Sequence, residues 1–195
     1  MSAAGRVCTG FSKPYVATYT NSGTSITYAS GQLLARGVNV SIEPETAADD
    51  NIFYADNVAA ETVGGKFTGG TVTLTVDGLL DAARRLILGL PAAGDDGLIA
   101  YGDNQSIPNV GIGFIARFMS DGVESWVPVI LTKCRFKEPG ISAATQEEDI
   151  DWQTEELEAT ILRDDSANHV WKYLGAGQST EAAAEAKIKT KFNIS

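Results

Sequence analysis

The sequence has little of what metal sites and disulfide frameworks require, since its 195 residues include one histidine and two cysteines. A lone histidine, His169, cannot supply a histidine-rich metal cluster, and Cys8 with Cys134 does not make a disulfide framework. Serine or cysteine catalysis would need His169 as its base, yet no nucleophile motif such as G-x-S-x-G is present. We therefore expect reduced thiols, folding in a reducing cytoplasm, and neither catalytic residues, nor a metal, nor a cofactor.

Basic residues and long apolar runs are also scarce. Fifteen bases stand against 25 acids, and the formal net charge is −10. Nucleic acid backbones repel such a chain, which argues against gripping DNA but allows a surface that DNA slides past. No stretch approaches the ~20 uninterrupted apolar residues of a membrane helix, and the first eleven residues lack the pattern of a secretory signal. We expect no membrane partner.

What the sequence does contain is a period-two alternation of apolar and polar residues, which is typical of half-buried strands. It occurs at 38–42, at 71–76 and at 110–118. Asp121-Gly122 then predicts a tight turn, because these two residues tolerate a positive φ. The strand that ends at 119 should therefore pair antiparallel with one at 124–137.

Two further strands have a less regular pattern. Residues 126–131 are apolar at both odd and even positions, which predicts a central strand that is covered on both faces. Between Glu148 and Leu162 the apolar residues change from even to odd positions. An extra residue would keep one face inward, so this change predicts a β-bulge near Glu155-Glu156.

Two segments have a helical pattern. The first follows Gly78, has its apolar residues on one face, and is ended by Gly89. The second, at 180–191, is rich in alanine, with an acid early and lysines late. Its apolar face is thin, so we expect this helix to need a docking surface, for which a neighbouring subunit is one candidate. Ile188 and Phe192, the latter directly after the helix, are our candidates for such a subunit contact.

The stretch 43–66 is a long acidic connection with embedded apolar residues, and it has no base before Lys66. One interpretation is a flexible surface loop. The other is an extended arm whose apolar side chains become buried only against a partner. The residues in this stretch that we select as candidates for subunit contacts are Glu43, Glu45, Asp49, Asp50, Ile52, Phe53, Tyr54, Asp56 and Val58.

A basic strip and an acidic strip supply a second set of candidates. Lys133, Arg135 and Lys137 share one strand face, whereas 147–158 has seven acids and no base. The two strips can attract each other within one sheet or between identical subunits, and the sequence leaves both options open. Contacts between subunits would be head-to-tail, and such contacts close into rings when the rotation permits.

Three patterns with catalytic or binding associations are weak. The G-x-G-x-x-A match at 111–116 alternates like a strand and does not open a helix, so we expect no dinucleotide there. Glu155 and Glu158 are a carboxylate pair of the glycosidase type, but no cluster of sugar-stacking aromatic residues accompanies them. Asp149 and Asp151 would share a strand face toward a divalent ion, but they lack a third ligand.

The order of these segments is itself informative. The most specific part is Phe136-Lys137-Glu138-Pro139 followed by Thr145-Gln146-Glu147-Glu148 and Gln153-Thr154. The other segments that contribute are 38–45, 53–57, 69–76, 101–102, 110–114, 127–129, 133–135, 149–150 and 152. Over about residues 10–172 the chain resembles the major tail proteins of long-tailed bacteriophages, especially phages of Gram-positive bacteria.

This resemblance implies a mainly β fold, an antiparallel β-sandwich or barrel of the tail tube type with one flanking α-helix. The tail tube domain would span 1–174 with its arm at 43–66, and a C-terminal helical extension would follow at 175–195. The implied function is that of a virion structural subunit, assembled in the host cytoplasm into stacked hexameric rings. Its implied partners are other copies of itself, the tape measure protein and the tail terminator and tip proteins, while DNA passes through the lumen without specific binding.

Two other classes of protein remain as alternatives. A monomeric carbohydrate-binding β-sandwich module would need an exposed aromatic platform, for which Trp126, Trp152 and Trp171 are the available tryptophans. A hydrolase would need a cleft around Glu155 or Glu158.

Overall fold

The computed structural model of the chain describes residues 5–23, 25–47, 51–55, 58–63, 66–103, 105–141 and 153–194, with the backbone alone in the two ranges between 51 and 63. Ten strands and two helices lie in these ranges. The strands are β1 (Val7–Asn21), β2 (Ile26–Leu33), β3 (Gly37–Thr46), β4 (Asn51–Ala55), β5 (Val58–Val63), β6 (Phe67–Val76), β7 (Val110–Ser120), β8 (Val123–Phe136), β9 (Glu155–Leu162) and β10 (Lys172–Leu174). The helices are α1 (Asp81–Leu88) and α2 (Glu181–Phe192).

Eight of the strands form one open antiparallel sheet in the order β2-β1-β7-β8-β9-β6-β3, with β10 also paired to β8. The prediction of a mainly β, antiparallel fold with a C-terminal helix is thus confirmed, but these eight strands form one open sheet, and β4 and β5 form a separate two-stranded sheet. The two edge strands, β2 and β3, are joined by residues 34–36 alone. Leu33 still pairs with Tyr15 on β1, while Gly37 already pairs with Val76 on β6. The sheet therefore curls until its two edges approach each other, and it wraps around its own core.

The predicted hairpin at Asp121-Gly122 joins β7 to β8. Both turn residues have a positive φ, 49° and 76°, and Ser120 pairs with Val123. The prediction that β8 is covered on both faces is also confirmed. Its odd-numbered residues Val127 and Val129 lie in the core inside the curl, while Ile130 lies in a second cluster on the outer face.

The helix α1 packs into the core inside the curl through Ala83, Ile87 and Leu88, which are buried. It ends where the sequence predicts. Gly89 adopts the left-handed conformation with φ 67°, which a glycine adopts without steric cost.

The helix α2 begins at the N-cap Thr180, whose hydroxyl accepts a hydrogen bond from the Ala183 N–H over 3.2 Å. Its buried side chains, Ala184, Ile188 and Phe192, are four residues apart and so share one face. They pack on the outer surface of the sheet, in the second cluster. The helix therefore docks on its own chain.

The β-bulge predicted near Glu155-Glu156 is absent from β9, and this prediction is wrong. The strand begins at Glu155 and pairs with β6 in regular register from Val76↔Glu155 to Gly70↔Ile161. The apolar residues change from even to odd positions where the strand starts. The buried residues of β9 are therefore all at odd positions, and no extra residue is needed to keep them inward. The remainder of the predicted strand, residues 148–152, lies outside the described residues.

Candidate subunit-interface surface

The stretch that follows β3 contains a hairpin that is separate from the main sheet. The ladder of β3 and β6 extends to Thr46↔Phe67, and the Ala47 N–H donates to the Lys66 carbonyl over 3.0 Å. Beyond this point β4 and β5 pair with each other and form a separate two-stranded sheet. The predicted arm, 43–66, thus consists of the end of β3 and a hairpin, 47–66, that is rooted on this edge strand. Below, the arm means this hairpin, 47–66.

The candidate contact residues of the acidic stretch are distributed along this feature. Glu43 and Glu45 lie on β3 and are exposed. The apolar candidates are in the arm: Ile52, Phe53 and Tyr54 belong to β4, and Val58 begins β5. The candidates Asp49, Asp50 and Asp56 lie outside the described residues. Their assignment to subunit contacts stays a prediction.

The open sheet presents two long strand edges. Among the described strands, β2 pairs with β1 alone and β3 pairs with β6 alone. The outer edge of β3 includes the exposed Val38 and also Pro44, which has no N–H to offer. Unpaired edges of this length are templates for a strand from another molecule.

The basic strip is largely engaged inside the chain. Lys137 forms an ion pair with Glu158 of β9, which is the within-sheet attraction that the sequence allowed. Lys133 is bound through its Nζ to Asp165, at 2.8 Å from Oδ2. Arg135 remains exposed and lies opposite Thr160 in the ladder.

A network that sequence reasoning missed holds the loop between β9 and β10. The Tyr19 hydroxyl donates to Asp165 Oδ2 over 2.8 Å and accepts from the Asp165 N–H over 3.0 Å. The hydrogen bond from Lys133 lowers the pKa of the Asp165 carboxyl, and burial raises the pKa of Tyr19 to about 12. These contacts join residues that are far apart in sequence, so no local pattern indicates them.

The candidates on the C-terminal helix, Ile188 and Phe192, are fully buried against the sheet. They are core residues of the single chain, so in this conformation they do not lie on its surface. A polar cluster at the start of the helix adds to the docking. Glu185 contacts Lys13 and accepts from the Tyr15 hydroxyl over 2.6 Å. The hydrogen bond from Lys13 is the main reason why the pKa of Glu185 falls to about 2.

The carboxylate pair of the hydrolase alternative is split by the sheet. Glu155 accepts hydrogen bonds from Arg84 over 2.9 Å and from the Leu79 N–H over 3.1 Å. Glu158 is three residues further along β9, and successive residues of a strand point to opposite faces. The two carboxylates therefore lie on opposite sides of β9 and cannot flank one glycosidic bond.

The tryptophans of the carbohydrate-binding alternative do not form an exposed platform in the part that the structure describes. Trp171 is half-buried and stacks on Phe67, with ring centroids 4.4 Å apart and planes 5° apart. Trp126 is half-buried against the cluster below α2. Trp152, like Asp149 and Asp151 of the weak metal pattern, lies outside the described residues.

Other routes to a function are not supported by the described residues. They contain no group of three or more His, Cys, Asp or Glu side chains that could hold a metal ion. Neither α1 nor α2 is long and apolar enough to cross a membrane. A comparison with known protein families finds no matching family, and a comparison with curated proteins finds no match.

Proposed function

We propose that the chain is a structural subunit that assembles with copies of itself, of the kind that builds the tail tube of long-tailed bacteriophages. The observation that carries this proposal is the arm. It extends from the edge strand β3, and its strands β4 and β5 pair only with each other in the described part of the chain.

As an isolated hairpin, the arm needs further packing to become stable. A two-stranded hairpin is at best marginally stable in water, and this one carries Ile52, Phe53 and Tyr54 within one strand. Apolar side chains of that size gain about 1.5–3 kcal/mol each when they become buried. A second copy of the chain could bury these side chains, and such copies are present wherever the chain is made. The open edges of β2 and β3 add further places where a copy can pair.

The tail tube is the form of self-assembly that agrees best with the rest of the molecule. The segments that carry the resemblance include much of β3, β6, β7 and β8, which form a curled antiparallel sheet with a helix docked on its outer face. In this proposal the copies form rings, hexameric in the related tubes, that stack around a tape measure protein and end at terminator and tip proteins. The net charge of −10 suits a channel from which DNA is repelled and so slides.

The proposal is tested by shortening the arm. Because Ala47 and Lys66 are hydrogen-bonded across the ladder, residues 48–65 can be replaced by a two-residue Asn-Gly turn that closes β3 onto β6. We expect the full chain to form rings or tubes at high concentration, as seen by electron microscopy and sedimentation velocity. The shortened chain should remain a monomer, and its far-UV circular dichroism spectrum should change only by the loss of β4 and β5.

A second variant separates the apolar contacts from the length of the arm. Replacing Ile52, Phe53 and Tyr54 by threonine keeps a β-forming strand and removes most of the apolar surface. We expect this variant to assemble as poorly as the shortened chain. A full chain that stays monomeric at every concentration, alone and with a tail tip complex, would show that the proposal is wrong.

A further inference from the structure

The short strand β10 lies at the foot of the arm and has an open side. Strands β9 and β10 pair with successive parts of the same edge of β8. Leu162 of β9 pairs with Lys133, and Lys172 of β10 pairs with Leu131. The loop between them leaves the sheet and returns at Trp171. In the part of the chain that the structure describes, β10 has no neighbour other than β8.

The backbone of β10 offers hydrogen bonds toward that open side. The Trp171 carbonyl accepts from the Thr132 N–H over 3.1 Å, and the Gly175 N–H donates to a β8 carbonyl over 2.8 Å. In an antiparallel ladder the bonding direction alternates from residue to residue. Lys172 and Leu174 therefore direct their N–H and C=O groups away from β8, where an incoming strand can pair.

Apolar surface surrounds this edge. Tyr173 is 40% exposed and Leu174 is 61% exposed. Both line a cavity of about 370 Å³ together with Pro128 and Ile130 of β8. We call this feature, with the lysines described next, the β10 groove.

Three lysines give the groove a positive charge. Lys187 lines the same cavity, and the Nζ of Lys191 lies 4.6 Å from the centroid of the Tyr173 ring. Lys172 does not line the cavity; it is on β10 itself, and its Nζ lies 4.5 Å from the centroid of the Trp171 ring, on the side of the root of the arm. Within the described ranges none of the three is in an ion pair. The nearby Asp165 is already neutralised by Lys133. The groove is thus a basic and apolar patch on a protein of net charge −10.

We propose that the β10 groove binds the arm of a second copy of the chain, an inference that rests on the proposed self-assembly. The arm has each complementary property: it is a pair of strands, it carries apolar residues, and its charges before Lys66 are all negative. The acids of the arm in the sequence are Asp49, Asp50, Asp56 and Glu61. A strand of the arm pairs with the open edge of β10, its apolar side chains enter the cavity, and its acids face the lysines.

The position of the arm explains why the partner is another copy. The root of the arm lies beside the groove of its own chain, because Phe67 stacks on Trp171. Yet among the described residues β5 pairs with β4 and not with β10. An arm and a groove on each copy make a head-to-tail contact, which continues from copy to copy until a ring closes.

The test uses two variants that are defective in complementary ways. The groove variant combines Lys172→Glu and Lys187→Glu. The arm variant is the chain with 48–65 replaced by an Asn-Gly turn. The arm variant should form no rings alone, and the groove variant alone should need at least a tenfold higher concentration than the unchanged chain to assemble. When the two are mixed, the arm of one fits the groove of the other, so mass photometry should show a heterodimer that grows no further.

The matched control for charge is Arg36→Glu with Arg163→Glu, two exposed bases that do not line the cavity, which should assemble like the unchanged chain. Leu174→Glu is a second groove variant in case the first folds poorly, and it should block assembly in the same way. If the unchanged chain does not assemble, both the proposed function and the groove are wrong. If it assembles but the groove variants assemble equally well, or the mixture gives no heterodimer, the groove alone is wrong.

Discussion

The ring of Phe192 fills the space that a side chain at Gly111 would need. A Cβ on Gly111 would lie 2.8 Å from Cε1 of Phe192, and one on Gly113 would lie 2.6 Å from Cγ2 of Ile188. The two glycines leave a flat strip on β7 on which the C-terminal helix lies. This packing is the structural reason for the G-x-G pattern that resembles a dinucleotide motif in the sequence.

We predict that Gly113→Ala weakens the docking of α2. The added methyl group would have to displace Ile188 or Phe192, and overpacking of this kind typically costs about 1–3 kcal/mol. The measurement is the free energy of unfolding in urea, with amide hydrogen exchange to show that the loss is centred on α2.

The matched control for this substitution is Gly10→Ala, another strand glycine, where the nearest atom to the new Cβ would be at an ordinary 3.6 Å. It should leave the free energy of unfolding within about 0.5 kcal/mol of the unchanged chain. Equal effects of the two substitutions would mean that the glycine strip does not determine how the helix docks.

Docking of α2 should also depend on pH through Glu185. Hydrogen bonds from Lys13 and then Tyr15 lower the pKa of this carboxyl from 4.5 to about 2. A carboxyl with a depressed pKa stabilises the folded state fully above the pKa of the unfolded chain, and this contribution is lost as the pH falls through the folded value. We expect a loss of roughly 3 kcal/mol between about pH 5 and pH 2.

The pH effect is isolated by comparing the chain with its Glu185→Gln variant. Their difference in unfolding free energy should be largest near pH 6 and should shrink toward pH 2, where the carboxylate is protonated. Parallel curves over this range would show that the Lys13–Glu185 contact contributes no pH-dependent stability.

The elements that the sequence predicts correctly are those with a local signal. The β7–β8 hairpin follows from Asp121-Gly122 between alternating strands, because the turn and the alternation act over a few residues. The end of α1 follows from Gly89 for the same reason. The prediction of a bulge in β9 is wrong because the alternation of apolar residues does not show where a strand begins. The strand β9 begins at the residue where the apolar side chains change from even to odd positions.

Features that depend on distant partners could not be predicted. The thin apolar face of α2 indicated that it needs a docking surface, but only the fold shows that Gly111 and Gly113 provide it within the same chain. The β10 groove is similar, because it combines a three-residue strand with Lys187 of a helix. For the arm, the acidic and aromatic composition leaves a surface loop and a contact arm both open; the structure adds that its described backbone is a hairpin, and its role in subunit contacts stays a prediction.

Two glutamates on β9 provide a test of what burial adds to an ion pair. The side chain of Glu155 is 17% exposed and contacts Arg84, whereas that of Glu158 is 42% exposed and contacts Lys137. We expect Glu155→Gln to cost about 1–3 kcal/mol, because Arg84 is left without its counter-charge in a partly buried place. Glu158→Gln should cost less than about 0.5 kcal/mol. Denaturant unfolding of both variants is the measurement, and similar costs would contradict the assignment of Glu155 as a structural residue that holds α1.

The stack of Phe67 on Trp171 should hold two parts of the surface together. Phe67 is the first residue of β6 after the arm, and Trp171 directly precedes β10, so one aromatic contact joins the root of the arm to the β10 groove. We expect Trp171→Ala to cost about 1–3 kcal/mol, less than a fully buried tryptophan because the ring is half-buried. Amide exchange should accelerate at 67–70 and at 172–174 together. Trp171→Phe keeps a stacking ring and should retain most of the protection. Faster exchange at only one of the two segments would mean that the stack does not couple them, since each would then be held by its own ladder alone.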